Sequence, residues 1–119
     1  MPTLAELTTL RVGGPAREIV TATSEADLIG AVSSADGSGT PVLLVGGGSN
    51  LLVSDDGFDG TVVQIGTRGI ALQAIDACGG VMVTVAAGEP WDGFVAHAVA
   101  NGWAGVEALA GIPGLTGAT

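Results

Sequence analysis

Gly46, Gly47 and Gly48 stand together directly after the apolar run Pro41–Val45, and Ser49 and Asn50 follow them. Glycine lacks a Cβ and accepts positive φ, so successive N–H groups of such a loop can converge on an anion of phosphate size. The Ser49 hydroxyl and the Asn50 amide add side-chain hydrogen bonds to the same kind of ligand. A diphosphate held in this way needs little cationic help, which suits a chain with three Arg, no Lys and twelve acids. An ordinary glycine turn between strands is the competing reading, and glycine count does not separate the two. Two familiar templates fall away. The P-loop pattern requires a Lys, and the dinucleotide-binding pattern requires a third glycine at position 51, which is Leu51. That pattern also opens a helix from the loop, whereas the acidic, glycine-rich run "SDDGFDG" (54–60) starts none.

A second small-residue segment, "AGIPGLTGA" (110–118), also follows apolar sequence. By itself "GIPG" is a turn. Paired with the first loop, it is what a long ligand running between two backbone segments would need. The remaining chemistry-bearing residues read as structural. His97 falls off the apolar stripe of its predicted helix, on the side of Asp92 and Gly93, as a solvated surface residue. Cys78 lies in a predicted turn beside two glycines, with no cation nearby in sequence to activate it. Asp55, Asp56 and Asp59 lack calcium-loop spacing and read as a solvated turn. Arg11 precedes Gly13 and Gly14, and a ligand phosphate or a surface acid are equally good partners for it. Trp91 and Trp103 read as core.

The elements that position these residues follow from local pattern. Arg17–Thr23 predicts a strand. Ser24 predicts an N-cap, with Asp27 in the place of a capping-box acid, for a helix carrying Leu28, Ala31, Val32 and Ala35 on one stripe and stopped by Gly37. Pro41–Val45 predicts a second, fully buried strand, so that strand–helix–strand suggests a parallel βαβ unit. Thr61–Gly66, Ile70–Asp76 and Gly80–Gly88 predict further strands, the last two joined as a hairpin through Cys78, Gly79 and Gly80. Pro90 and Gly102 bracket a second helix with Trp91, Phe94, Val95, Ala98 and Val99 as its stripe. The remainder, from Trp103, predicts no closing element. Residues 1–66 read as one α/β unit and 67–119 as the opening of another.

Composition bounds the function. The 119 residues are 47% hydrophobic and 13% charged, which demands a packed core. A formal charge of −9 excludes nucleic acid and anionic membranes as partners. A single Cys excludes an internal disulfide. No apolar run approaches the roughly 18 residues of a membrane span, and no signal peptide opens the chain, so the expected location is cytoplasmic.

"TTLRVGGPA", then "VLLVGGGSNLLVSDDGFDGTVVQI", then "AGEPWDGFVAHAVANGWAGVEALAGIPG" together resemble the UDP-N-acetylenolpyruvoylglucosamine reductases of peptidoglycan synthesis. The resemblance implies an α+β fold of the vanillyl-alcohol-oxidase/PCMH type, in two α/β subdomains with FAD between them: residues 1–66 as the first and 67–119 as the second, truncated. It implies that Val45, Gly46, Gly47, Gly48, Ser49, Asn50 and Leu51 hold the diphosphate of a non-covalent FAD. It likewise implies that Gly111, Ile112, Pro113, Gly114, Gly117 and Ala118 line the flavin. Leu115 departs from the family's pattern, in which a small hydroxyl residue is commoner. NADPH is the implied hydride donor and an enolpyruvyl UDP-sugar the implied acceptor, giving UDP-N-acetylmuramate. The family's catalytic Ser, Arg and Glu match nothing in this chain, so no catalytic residue and no activity of the chain alone are expected. Another oxidoreductase of the same fold, or a nucleotide-binding module without chemistry, are the alternatives.

Overall fold

β-Branched residues along Arg17–Thr21 favour an extended chain, and Ala16–Ala22 forms strand β1. In the computed structural model, which describes residues 2–119, the contacts divide between a unit ending at Gly66 and one beginning at Thr67. No helix among the described residues is long and apolar enough to cross a membrane.

In the first unit, a 3₁₀ turn at Leu4–Leu7 precedes β1, helix α1 (Glu25–Gly37) follows it, and strands β2 (Val42–Val45) and β3 (Phe58–Ile65) complete the regular elements. Ser24 Oγ accepts the Asp27 N–H at 3.1 Å, as an N-cap should. The Asp27 carboxylate takes the Thr23 hydroxyl at 3.3 Å. Gly37 is still helical, and the left-handed turn that follows is made by Gly39, at φ +68.

The sheet is wholly parallel in the order β1-β3-β2, with Val62 of β3 opposite both Ile19 and Leu43. This corrects the expectation of a fully buried second strand. β3 enters between the two strands that α1 connects, so β2 lies at an edge, and Leu44 is 54% exposed. The buried centre is β3, whose Thr61, Val62 and Val63 are all buried. One face of the sheet packs Leu4, Leu7, Leu51, Val53 and Phe58 against Ile19, Leu43, Val45 and Val62. Enclosing an aliphatic side chain is worth about 1.5–3 kcal/mol. The exposed Arg17–Asp59 ion pair contributes about 1 kcal/mol at most, so the core decides the stability of this unit.

The second unit opens with an antiparallel hairpin of β4 (Ile70–Ile75) and β5 (Val81–Val85). Its turn is closed by Asp76 N–H to Gly80 O at 2.7 Å, with Gly79 at φ +86 and the exposed Cys78 between them. Helix α2 (Trp91–Ala100) starts one residue after Pro90 and ends before Gly102, whose φ is +72. Trp91, Phe94, Val95 and Ala98 pack onto Ile70, Val83 and Val85, with Trp103 and Val106 closing the cluster. Val99, expected on the same stripe, is 57% exposed, because the narrow hairpin covers less of the helix than the stripe would fill.

The chain after Trp103 also departs from expectation. It forms two 3₁₀ turns, Glu107–Leu109 and Thr116–Ala118, and is tied to α2 by hydrogen bonds that no local pattern announces.

Candidate glycine-loop site

The loop 46–51 is aimed by the parity of the strand that feeds it. Thr61 N–H bonds to Pro41 O at 2.9 Å, which fixes the phase of the β2–β3 ladder. In that phase the amides of Leu43 and Val45 face β3, while those of Val42 and Leu44 point off the sheet edge. Gly46 continues the outward set, so the first amide of the loop is turned away from the sheet.

The three glycines do different things. Gly48 is buried at φ +68, and a Cβ built on it would run into the carbonyl of Leu7. Its own carbonyl accepts the Thr9 N–H at 3.0 Å. Gly48 is therefore demanded by close packing of main chain on main chain. Gly47 is exposed and is not among the positive-φ glycines, so backbone conformation does not demand glycine there. Among the described residues, the amides of residues 46–50 make no donation to backbone of this unit, while that of Leu51 closes the turn at Ser49–Asn50. The Ser49 and Asn50 side chains likewise have no partner there. The result is a short run of uncommitted donors with an exposed glycine in the middle, a donor set that fits a diphosphate.

Both ends of the loop are held. Val45 anchors the near end, fully enclosed in the core. At the far end Gly14 N–H bonds to Ser54 O at 2.8 Å, and Phe58 N–H bonds to Pro15 O at 2.9 Å. A Cβ on Gly14 would collide with the backbone of Asp55. The segment Thr3–Pro15 is thus the scaffold of the loop. Sequence reasoning missed that role, although the Gly13-Gly14 pair was its signal. Asp59 is engaged by Arg17 at 2.7 Å.

The second segment is built differently. Gly111 N–H donates to Asp92 Oδ1 at 2.7 Å, Thr116 N–H to Glu89 O at 2.8 Å, and Gly117 N–H to Ala87 O at 2.9 Å. Trp91 reciprocates: its amide reaches Gly114 O at 3.2 Å and its indole N–H reaches Leu109 O at 2.9 Å. Gly111 and Gly114 adopt φ of +87 and +105, which lets the chain double back over the start of α2. Leu115 is half-buried and bridges to Pro90. Within residues 111–118, the described amides of Gly114 and Leu115 have no partner in the unit, while that of Ile112 closes the turn at Ala110–Gly111. Asp92 and Glu89 were not singled out by sequence as anchors, since nothing local pairs residue 92 with 111.

The other candidates sit where sequence put them. His97 is exposed on α2, edge-on to Trp103 with centroids 5.4 Å apart. Trp91 is buried against Phe94 at 5.6 Å. In the stretch between Trp103 and the second segment, Glu107 is held below the usual carboxylate range by its own backbone N–H and that of Gly105.

Comparison with known proteins gives a consistent picture. A family described as FAD binding domain matches residues 16–119. UDP-N-acetylenolpyruvoylglucosamine reductase of Cutibacterium acnes is 55% identical over 116 residues, which is 98% of this chain and 31% of that protein. The enzyme of the same name from Streptomyces coelicolor is also 55% identical over 116 residues, 29% of its length. The chain therefore spans about a third of the length of the curated relatives it matches. The crystal structure of UDP-N-acetylenolpyruvylglucosamine reductase from Thermus caldophilus superposes with a TM-score of 0.71 at 30% identity, covering 98% of this chain and 38% of that one.

Proposed function

The chain belongs to the FAD binding domain family and has its vanillyl-alcohol-oxidase/PCMH-type α+β fold, and on that premise we propose that it is the FAD-binding portion of a UDP-N-acetylenolpyruvoylglucosamine reductase. The observation that carries this reading is 55% identity sustained over 116 residues, through both small-residue segments. The uncommitted donors of the glycine loop support it.

In this reading the amides of residues 46–51, with Ser49 and Asn50, hold the FAD diphosphate. Gly47 leaves room for backbone to approach it. The turn Gly111–Gly114, with Gly117 and Ala118, lines the flavin, held there by Asp92 and by the carbonyls of Ala87 and Glu89. Neither segment contains a His or Cys, so the complex is non-covalent. When bound, FAD supplies the two-electron chemistry that no side chain here offers. The reductant is NADPH and the acceptor an enolpyruvyl UDP-sugar, in peptidoglycan synthesis in the cytoplasm. The residues of this chain bind and orient the cofactor. Proton transfer and substrate binding belong to the remainder of a full-length reductase.

The test is FAD titration of the chain, followed by flavin fluorescence quenching and visible absorbance after gel filtration. Uptake by the unsubstituted chain and its loss in Gly47→Val, with melting temperature unchanged, are expected. Undiminished FAD occupancy in Gly47→Val would remove the diphosphate from this loop.

A further inference from the structure

The chain has only three basic side chains besides His97, against twelve acids. Two of them are occupied: Arg17 pairs with Asp59 at 2.7 Å, and Arg68 stands 3.9 Å from Glu89. The third, Arg11, is exposed and is the one non-glycine residue with positive φ among the described residues, at +57. Its turn is closed by Arg11 N–H to Thr8 O at 3.2 Å and by the buried Thr8 hydroxyl to Val12 O at 3.1 Å. The same turn is fastened to the glycine loop by Thr9 N–H to Gly48 O at 3.0 Å.

We propose that Arg11 is a binding residue that places its guanidinium on the diphosphate held by residues 46–51. This inference rests on the FAD reading above. Two residues of chain span at most about 7 Å, so Arg11 starts within a long side chain's reach of the loop. Electrostatics supplies the need. A diphosphate approaching a protein of net charge −9 meets long-range repulsion that neutral amides do not cancel. An arginine fork matches phosphate oxygens with two parallel hydrogen bonds. The backbone supplies the second argument. A left-handed conformation disfavours any residue with a Cβ, and glycine would relieve it. A cation kept at a position that local preference assigns to glycine marks a site where function outweighs local stability.

The experiment compares FAD dissociation constants and melting temperatures of the unsubstituted chain, Arg11→Gly, Arg11→Lys and Gly47→Val across a range of salt. Arg11→Gly should weaken FAD about tenfold, the scale of one charge-assisted contact, with a melting temperature unchanged or raised. The affinity gap between Arg11→Gly and the unsubstituted chain should narrow as salt rises, because salt screens the Arg11 contact. Arg11→Lys should recover much of the affinity at low salt. Unchanged affinity in Arg11→Gly, or a loss only in step with a lowered melting temperature, overturns the proposal. If Gly47→Val loses FAD while Arg11→Gly keeps it, only the role of Arg11 falls. If both bind as the unsubstituted chain does, the loop assignment falls with it.

Discussion

Substituting Ala at Gly48 and at Gly47 separates the structural glycine of the loop from the one assigned to the ligand. At Gly48 two costs add. Holding an L-residue at φ +68 costs roughly 1–2 kcal/mol. The new Cβ would occupy the position of the Leu7 carbonyl oxygen, so main chain has to shift, and such overpacking costs about 1–3 kcal/mol. The sum, about 2–5 kcal/mol, is a large share of the stability of a small unit. At about 4–8 °C per kcal/mol for a domain of this size, the melting temperature should fall by about 8 °C or more. At the exposed Gly47 the left-handed cost is absent, and Gly47→Ala should stay within about 0.5 kcal/mol of the unsubstituted chain. Circular-dichroism melts and urea titration of the two variants give the comparison. A Gly48→Ala protein that melts within 2–3 °C of its parent, on the scale just cited, would refute the packing argument.

Two further predictions concern the second unit. Because hydrogen bonds from its own backbone N–H and that of Gly105 lower the pKa of Glu107, its contribution to stability is complete above the unfolded carboxylate's pKa. That contribution disappears as pH falls through the lowered folded-state value. Carboxyl-carbon NMR titration should place Glu107 below the ordinary glutamate range, and a midpoint at or above that range would contradict the contact of 2.6 Å to Gly105 N–H. Asp92→Ala should free the Gly111 amide; because the bond is exposed, stability should fall by about 1 kcal/mol or less, while hydrogen exchange at Gly111 accelerates. Unchanged exchange at Gly111 would show that Asp92 does not hold the turn.

Much of the architecture was legible where a residue acts on its immediate neighbours. Ser24 caps α1 through a bond three residues away, and the Cys78-Gly79-Gly80 turn closes a hairpin between two adjacent strands. Gly102 lies just past the last turn of its helix, as a left-handed stop should. The glycine run was visible as a candidate cradle, but the packing role of Gly48 was not. The positions that went astray involve partners distant in sequence. Val45 is enclosed while Leu44 is half-exposed, although both belong to one apolar run, because β3 takes the central place between β1 and β2.

Local signals thus set element type, caps, turns and the exclusion of P-loop and dinucleotide templates, since each depends on the covalent geometry of a few adjacent residues. Strand order, the division of labour between Gly47 and Gly48, the left-handed turn at Arg11 and the anchoring of residues 111–117 on α2 were decided only when distant segments met. Main-chain groups carry no sequence label, so the Leu7 carbonyl against Gly48, or Asp92 against the Gly111 amide, becomes a partnership through tertiary packing alone.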